Sequence, residues 1–288
     1  MNLEKDEINF LRNKAWELRK EVIDMVFNCE TSSGHLGGSL SAAEIISVLY
    51  WKILRLDIKN PKWEYRDRFI ISKGHSAPIL YAALANKGFF SRDILKTYRR
   101  DGSILQGHPD STKTPGVDAS SGSLGQGLSV ALGMALSARN TNKDFNVYCL
   151  LGDGEMDSGL IWEAAMAASH YKVANLTAII DYNHMQVDGD PKDIMNIEPL
   201  AEKWRAFGWE VLEVDGHDVE FIYRALEIRK MYKNTPFVII GNTVKGKGVS
   251  YMENSIKWHA CKITEEQKDK AIEEINALCS PVECLKKD

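Results

Sequence analysis

Short continuous apolar runs alternate with segments of helical periodicity, and this alternation is the strongest constraint on the fold. The apolar runs are typical of buried strands and lie at 68–72, 146–151, 176–180, 209–214 and 237–240. Helical spacing of apolar residues marks 6–29, 41–54, 79–84, 124–139, 155–170, 218–231 and 264–280. Strands that are apolar on both faces and separated by helices predict an α/β fold, a doubly wound parallel sheet with helices on both faces.

Such sheets bind ligands beyond the carboxyl ends of their strands. Gly152, Asp153 and Gly154 follow the run 146–151 and precede a helical segment. The glycines allow a sharp turn, and the start of a helix suits a phosphate group. Asp153 conflicts with an anion unless a divalent cation lies between them. Taken alone, the tripeptide is equally consistent with a simple tight turn.

Asn183 follows the next apolar run and makes the site more specific. Adjacent parallel strands end side by side, so we expect Asn183 to face Asp153. Carboxylate and amide oxygens are the hard ligands that Mg²⁺ prefers, and the carbonyl of Met185 could complete the set. The sequence therefore predicts a metal site at Asp153, Asn183 and Met185 for Mg²⁺, with Ca²⁺ or Mn²⁺ as substitutes.

Composition excludes several classes of function. The chain has 288 residues, 44% hydrophobic and 26% charged, and its formal net charge of -4 provides no basic surface for nucleic acid. The charged segment at its start lacks the apolar run of a signal peptide, so we expect none, and no apolar run is long enough for a membrane span. The five cysteines form no CxxC pair, so we expect reduced thiols in a cytoplasmic protein, with Cys149 as a core residue.

The pairing of Gly152-Asp153-Gly154 with Asn183 resembles the cofactor motif of thiamine-diphosphate enzymes. Further segments narrow the resemblance to the transketolase family. They occur in the family's order over about residues 10–262, at 33–38 (SGHLGG), 72–77 (SKGHSA), 106–109 (QGHP), 116–118 (GVD), 121–127 (SGSLGQG), 243–248 (TVKGKG) and 258–259 (WH). So many matches in one order are far more specific than any single motif.

The resemblance implies thiamine-diphosphate-dependent transfer of a two-carbon ketol unit from a ketose phosphate to an aldose phosphate. It assigns sugar-contacting, catalytic roles to His35, His108 and His259. It assigns cofactor contacts to His75, Gly122, Ser123, Leu124, Gly152, Asp153, Gly154, Glu155, Asn183 and His259. A lone histidine is more often structural, and His170, His184 and His217 keep that interpretation. Ser158 stands where two-domain members often carry a glutamate.

The chain is less than half the usual length of this family, whose second domain binds the aminopyrimidine ring. We therefore expect residues 1–288 to form one diphosphate-binding domain, with an N-terminal helical region and a C-terminal helix at about 264–280. The resemblance implies an α₂β₂ heterotetramer with a second, C-terminal transketolase subunit.

Two alternative functions stay open. One is another thiamine-diphosphate enzyme, similar to deoxyxylulose-phosphate synthase or 2-oxoacid dehydrogenase. The other is a non-catalytic module with this fold.

Overall fold

Five parallel strands form the central sheet. A computed structural model describes residues 2–29, 34–186 and 188–279. The strands are β1 (Arg68–Ile71), β2 (Val147–Gly152), β3 (Leu176–Tyr182), β4 (Glu210–Asp215) and β5 (Phe237–Asn242). Their order across the sheet is β1-β2-β3-β5-β4, and every neighbouring pair is parallel. The predicted α/β parallel sheet is confirmed.

Helices cover both faces of this sheet. Those described are α1 (Lys5–Phe27), α2 (Gly37–Ser41), α3 (Ala43–Val48), α4 (Ala77–Lys87), α5 (Gln126–Asn140), α6 (Gly159–His170), α7 (Pro191–Ile194), α8 (Leu200–Ala206), α9 (Val219–Ile228) and α10 (Glu265–Leu278). Among the described residues, no helix has the length and apolar character needed to cross a bilayer.

Successive strand residues contribute to two separate cores, which explains why the runs are apolar throughout. Leu150 of β2 packs into a core with α1, α3, α4 and α9. Cys149 and Leu151, its neighbours in sequence, pack into a second core with α5, α6 and α8. Side chains alternate between the faces of a strand, so a strand covered on both sides needs apolar residues at every position. Cys149 is a fully buried core residue, as predicted.

The structure changes several predicted boundaries. The segment predicted as a helix over 41–54 starts earlier, at Gly37, and is divided into α2, α3 and a π-helical turn at Leu49–Ile53. The helices α7 and α8 were not predicted, because each is shorter than the periodicity needs for detection. Ser33 in the motif 33–38 and residue 280 of the predicted C-terminal helix lie outside the described residues.

The helix predicted from residue 155 begins only at Gly159. A 3₁₀ helix, Asp153–Asp157, comes first, and the extended backbone of Ser158 separates it from α6. Glu155 causes this tight turn, because its Oε2 accepts a hydrogen bond from the backbone N–H of Gly152 at 2.8 Å. The Gly152-Asp153-Gly154 segment therefore leads into a 3₁₀ helix, which begins at Asp153. The α-helix that the sequence predicted at this point begins later, at Gly159.

Strand register places the candidate residues at one edge of the sheet. Gly152 at the end of β2 pairs with Asp181 of β3, and Asp181 pairs with Gly241 of β5. The loops that follow these strands therefore leave the sheet side by side. Because β5 lies between β3 and β4, the loop after Asn242 also reaches this edge.

Candidate active site

A cavity opens at the carboxyl edge of the sheet, between the loops that follow β1, β2, β3 and β5. It also receives residues from α2 and from the loop before α5. Its lining residues are Gly38, Lys73, His75, Leu124, Gly152, Asp153, Gly154, Glu155, Asn183, Met185, Gln186, Asp188, Lys245 and His259. Most of the residues predicted from sequence to contact the cofactor or metal thus line one cavity.

Asp153 presents a buried carboxylate to this cavity. The residue is 3% exposed, and its Oδ1 accepts a hydrogen bond from Gly154 N at 2.8 Å. Its Oδ2 is buried and makes no hydrogen bond within the described residues. Burial, followed by the nearby charge of Asp181, raises the pKa of Asp153 to about 6. A buried carboxylate oxygen of this kind is stabilised by a cation, so the site fits a metal ion.

Asn183 and Met185 face the same cavity. The Nδ2 of Asn183 donates to Asp181 Oδ2 at 3.3 Å, and its Oδ1 accepts from Met185 N at 3.3 Å. The carbonyl of Met185 accepts a hydrogen bond from Lys245 Nζ at 2.8 Å. An amide oxygen and a backbone carbonyl therefore join Asp153 around one space.

The described residues contain no group of three or more His, Cys, Asp or Glu side chains placed to hold a metal ion. One carboxylate, one amide and one carbonyl are too few ligands for Mg²⁺, which takes six oxygens. The donor set therefore fits a metal that shares its remaining ligands with a bound oxyanion and water. A diphosphate supplies such oxygens.

Two lysines that the sequence interpretation did not assign supply positive charge beside the cavity. Lys73 follows β1 and forms a buried ion pair with Asp181. Lys245 follows β5 and is 2% exposed, and burial lowers its pKa to about 8. Both lysines follow strand ends, so the rule that identified Asp153 and Asn183 could also have identified them. Positive charge here favours a polyanionic ligand.

Four histidines lie close together, and two of them, His75 and His259, line this cavity. The ring centroids are 5.3 Å apart for His35 and His75, 5.3 Å for His35 and His259, 5.1 Å for His75 and His259, and 6.2 Å for His35 and His108. The Nδ1 atoms of His35 and His259 are buried and make no hydrogen bond within the described residues. These atoms can therefore serve a ligand.

The four imidazoles are neutral at neutral pH. Burial is the main cause, and it lowers the pKa of His35 to about 4, of His259 to about 4 and of His75 to about 2. Burial and then Arg99 lower the pKa of His108. A neutral imidazole can donate a hydrogen bond from one nitrogen and accept one at the other, as proton transfer to sugar oxygens requires.

Glu155 lines the cavity, but its carboxylate is already occupied by the protein. Oε1 accepts hydrogen bonds from Ser72 Oγ and, at 2.9 Å, from Gly125 N. Oε2 accepts from Gly152 N. Glu155 therefore ties three loops together, and its predicted cofactor contact stays a prediction.

The segment predicted to provide backbone contacts divides between two cavities. Leu124 lines the main cavity and is 47% exposed. Gly122 and Ser123 line a neighbouring cavity with Ile70 and Val130. A Cβ at Gly122 would lie 3.2 Å from His108 Cδ2, so this backbone packs against the predicted catalytic histidine.

The remaining histidines make contacts within the protein. His217 Nδ1 is 2.9 Å from Glu44 Oε2, and its Nε2 accepts a hydrogen bond from Val244 N at 2.8 Å. The ring centroids of His184 and Tyr182 are 4.0 Å apart, and those of His170 and Tyr171 are 4.9 Å apart. These contacts agree with structural roles.

Residues 12–276 match the family model described as "Transketolase, thiamine diphosphate binding domain". The match covers most of the chain. The chain belongs to the transketolase family. The suspected resemblance is therefore confirmed, and the cavity belongs to a domain of the thiamine-diphosphate-binding type.

Named relatives in the transketolase family include proteins of similar length. A 6-deoxy-6-sulfo-D-fructose transketolase subunit from Clostridium sp. is 44% identical over 92% of this chain and 96% of the relative. A Phocaeicola vulgatus protein named as one subunit of apulose-4-phosphate transketolase is 41% identical over 96% of this chain and 98% of the relative. These names favour a transketolase subunit over another thiamine-diphosphate enzyme.

Solved transketolases share the fold. The Campylobacter jejuni transketolase superposes with a TM-score of 0.87 at 35% identity, over 96% of this chain and 43% of that chain. The Leishmania mexicana transketolase gives a TM-score of 0.87 at 32% identity, over 92% and 41%. This chain spans about two fifths of those transketolases.

Proposed function

We propose that this chain is the diphosphate-binding subunit of a two-subunit transketolase, and that residues 1–288 form one domain. The complex transfers a two-carbon ketol unit from a ketose phosphate to an aldose phosphate, with thiamine diphosphate as cofactor. The observation that carries the proposal is the buried Asp153 Oδ2, which has no hydrogen-bond partner among the described residues and belongs to a cavity that Asn183, Met185, His75 and His259 also line. Family membership supplies the identity of the cofactor.

The metal ligands in this proposal are Asp153 Oδ1 or Oδ2, Asn183 Oδ1 and the Met185 carbonyl. Mg²⁺ is the default ion, and Ca²⁺ or Mn²⁺ can replace it because the ligands are all hard oxygens. The Met185 carbonyl, which accepts a hydrogen bond from Lys245 Nζ, would be a ligand for the metal. The ammonium group of Lys245 would offset the charge of the diphosphate. His75 and His259 donate hydrogen bonds to the same anion.

The cofactor, when bound, supplies the electron sink for cleavage and formation of the carbon–carbon bond. This chain binds and orients the sugar and moves its protons. His35 and His108 contact the sugar hydroxyls near the reacting carbon, and His259 reaches both sugar and diphosphate. Their depressed pKa values keep them neutral, so each can donate a hydrogen bond from one ring nitrogen and accept one at the other when it contacts the sugar oxygens.

The partner in this proposal is the C-terminal, pyrimidine-binding transketolase subunit, in an α₂β₂ heterotetramer. Support comes from relatives of similar length whose names describe them as subunits, and from the two-fifths coverage of solved transketolases. Leu124 lines the cavity and remains 47% exposed, as expected of a residue that a partner covers. Closed symmetry gives two equivalent sites.

Helix α6 carries two large apolar residues, Trp162 and Met166, and they differ in exposure. Trp162 stacks on Phe207 at 5.3 Å and donates from Nε1 to Met156 O at 2.9 Å, so it serves the protein's own core. Met166 is 58% exposed. We propose that Met166, and not Trp162, contacts the partner.

The proposed substrates are sugars with an anionic group. Two relatives are named for 6-deoxy-6-sulfo-D-fructose and for apulose-4-phosphate, which carry a sulfonate and a phosphate. A phosphate is the default for this chain. Assays with phosphorylated and sulfonated ketoses will distinguish them.

The cofactor assignment is tested with Asp153→Ala and, as matched control, Asp157→Ala, an exposed carboxylate of the same 3₁₀ helix. Calorimetry measures binding of thiamine diphosphate with Mg²⁺ and with a chelator. We expect Asp153→Ala to abolish Mg²⁺-dependent binding and Asp157→Ala to leave it unchanged. Normal binding by a folded Asp153→Ala protein would refute the metal assignment.

The need for a second subunit is tested by ketol-transfer assays of the purified chain with excess cofactor and Mg²⁺. We expect no turnover until the pyrimidine-binding subunit is added, because no part of the described chain is assigned to the aminopyrimidine ring. Robust transfer by the chain alone would contradict the two-subunit proposal.

A further inference from the structure

A fully buried carboxylate at the end of β3 connects four segments around the cavity. Asp181 is 0% exposed. Its Oδ2 accepts hydrogen bonds from Lys73 Nζ, from Ser41 Oγ at 2.6 Å and from Asn183 Nδ2 at 3.3 Å. Its Oδ1 accepts from Thr243 Oγ1. Asp181 therefore contacts α2, the loops after β1 and β5, and its own loop.

Two groups fix which way the Asn183 amide faces: the Asp181 carboxylate accepts from Nδ2, and the backbone N–H of Met185 donates to Oδ1. An amide carries a donor and an acceptor, whereas an ionised carboxylate only accepts. The NH₂ group of Asn183 must therefore point to Asp181, and Oδ1 must point away from it. The reversed amide would place two acceptor oxygens against each other, and Asn183 is only 5% exposed, so water cannot separate them.

We infer that Asp181 is a positioning residue for the metal ion, acting through the orientation of the Asn183 amide. The inference rests on the proposed function, in which Asn183 Oδ1 is a metal ligand. Asp181 itself does not line the cavity; its hydrogen bonds reach the site through Asn183 and Lys73, and its charge also acts on Asp153. Exchanging residues 181 and 183, which keeps a carboxylate beside Lys73, separates the effect of orientation from the effect of charge. Partners that orient a metal ligand in this way typically change affinity by about 10–100-fold when they are removed.

Variants of the other hydrogen-bond donors to Asp181 can distinguish a role in positioning Asn183 from a role in stabilising the fold. Ser41 and Thr243 also hydrogen-bond to this carboxylate, but neither contacts Asn183. Ser41→Ala and Thr243→Val each remove one hydrogen bond from the same buried group. If Asp181 only supports the fold, these variants and Asp181→Asn should affect metal-dependent binding in the same way.

The test measures binding of thiamine diphosphate by calorimetry to the full-length protein, together with any subunit that copurifies, at a series of Mg²⁺ concentrations. We expect Asp181→Asn to raise the Mg²⁺ concentration for half-maximal binding by about 10–100-fold, the typical effect of removing such a partner. Ser41→Ala and Thr243→Val should lower the unfolding midpoint but change that concentration less than about 3-fold. Equal binding by wild type and folded Asp181→Asn would overturn the inference and leave the proposed function intact.

An exchange of the two residues provides a second test that retains a carboxylate near Lys73. In Asp181→Asn combined with Asn183→Asp, the new amide donates to the new carboxylate, which then faces the metal. We expect this exchanged pair to bind within about 10-fold of wild type and more tightly than Asn183→Asp alone, whose two carboxylates repel each other. Loss of Mg²⁺-dependent binding in the folded exchanged pair would overturn the inference. Wild type without any Mg²⁺ dependence would instead overturn the proposed function.

Discussion

Gly74→Ala is the substitution that most directly tests how the site is assembled. Gly74 begins the short 3₁₀ helix that carries His75. A Cβ at this position would lie 2.7 Å from Gly122 N and 2.8 Å from the carbonyl carbon of Ser121. Both contacts are with backbone, so no side-chain rotation can relieve them.

The size of the effect follows from these distances. Ordinary contacts of a Cβ begin at 3.4 Å, so the 121–122 backbone must retreat by about 0.6–0.7 Å. Overpacking of a filled interior typically costs about 1–3 kcal/mol. The same shift separates His75 from the segment 122–124, so it should also weaken binding of thiamine diphosphate, which both are proposed to contact.

Urea unfolding of the purified chain and calorimetry with thiamine diphosphate measure the two effects. Gly133→Ala is the matched control, because Gly133 lies inside α5 with no atom within 4 Å of its added Cβ. It should stabilise the chain by about 0.5–1 kcal/mol, since alanine favours the helix. A Gly74→Ala protein with unchanged unfolding free energy and cofactor affinity would show that these loops do not pack as described.

Three further predictions concern titratable and charged groups. His35→Ala and His108→Ala should each lower turnover by a factor of about 10²–10⁴ and leave cofactor affinity nearly unchanged. Steady-state kinetics with the partner subunit measures this, and full turnover by either variant would contradict its proposed role. The pKa of His75 is depressed to about 2 by burial and then by Lys73, so its contribution to stability is present above about pH 6.5 and is lost as pH falls. Unfolding measured from pH 7.5 to 5.5 should therefore show a shallower decline for His75→Asn than for wild type. Glu44→Ala leaves the fully buried Arg19 without its bidentate partner and should cost about 3–5 kcal/mol in chemical unfolding, whereas an unchanged midpoint would contradict this burial.

Much of the fold was predictable because it depends on local patterns. A strand buried on both faces must be apolar at every position, so β2, β3 and β5 were recognisable as continuous runs. Helical boundaries were less accurate where side chains intervene. Glu155 bonds back to Gly152 and tightens the backbone into a 3₁₀ turn, which periodicity alone does not reveal.

The predicted site residues also include some that local sequence patterns reveal and others that depend on the tertiary structure. Asp153 and Asn183 were recognisable because each directly follows an apolar strand, and neighbouring parallel strands end together. Lys245 also follows a strand end, so the same rule makes it a candidate, but only the strand order, with β5 beside β3, places it at this cavity.

The sequence by itself determined the class of fold, the strand ends that carry the chemistry and the family resemblance, because these reside in short segments. Only the tertiary structure decided which charges are buried together and which imidazoles are neutral. Lys73 and Asp181 are 108 residues apart in sequence, yet they form one ion pair inside the protein. Burial and pairing depend on loops that meet across the sheet, and those two effects set the charge of every group in the site.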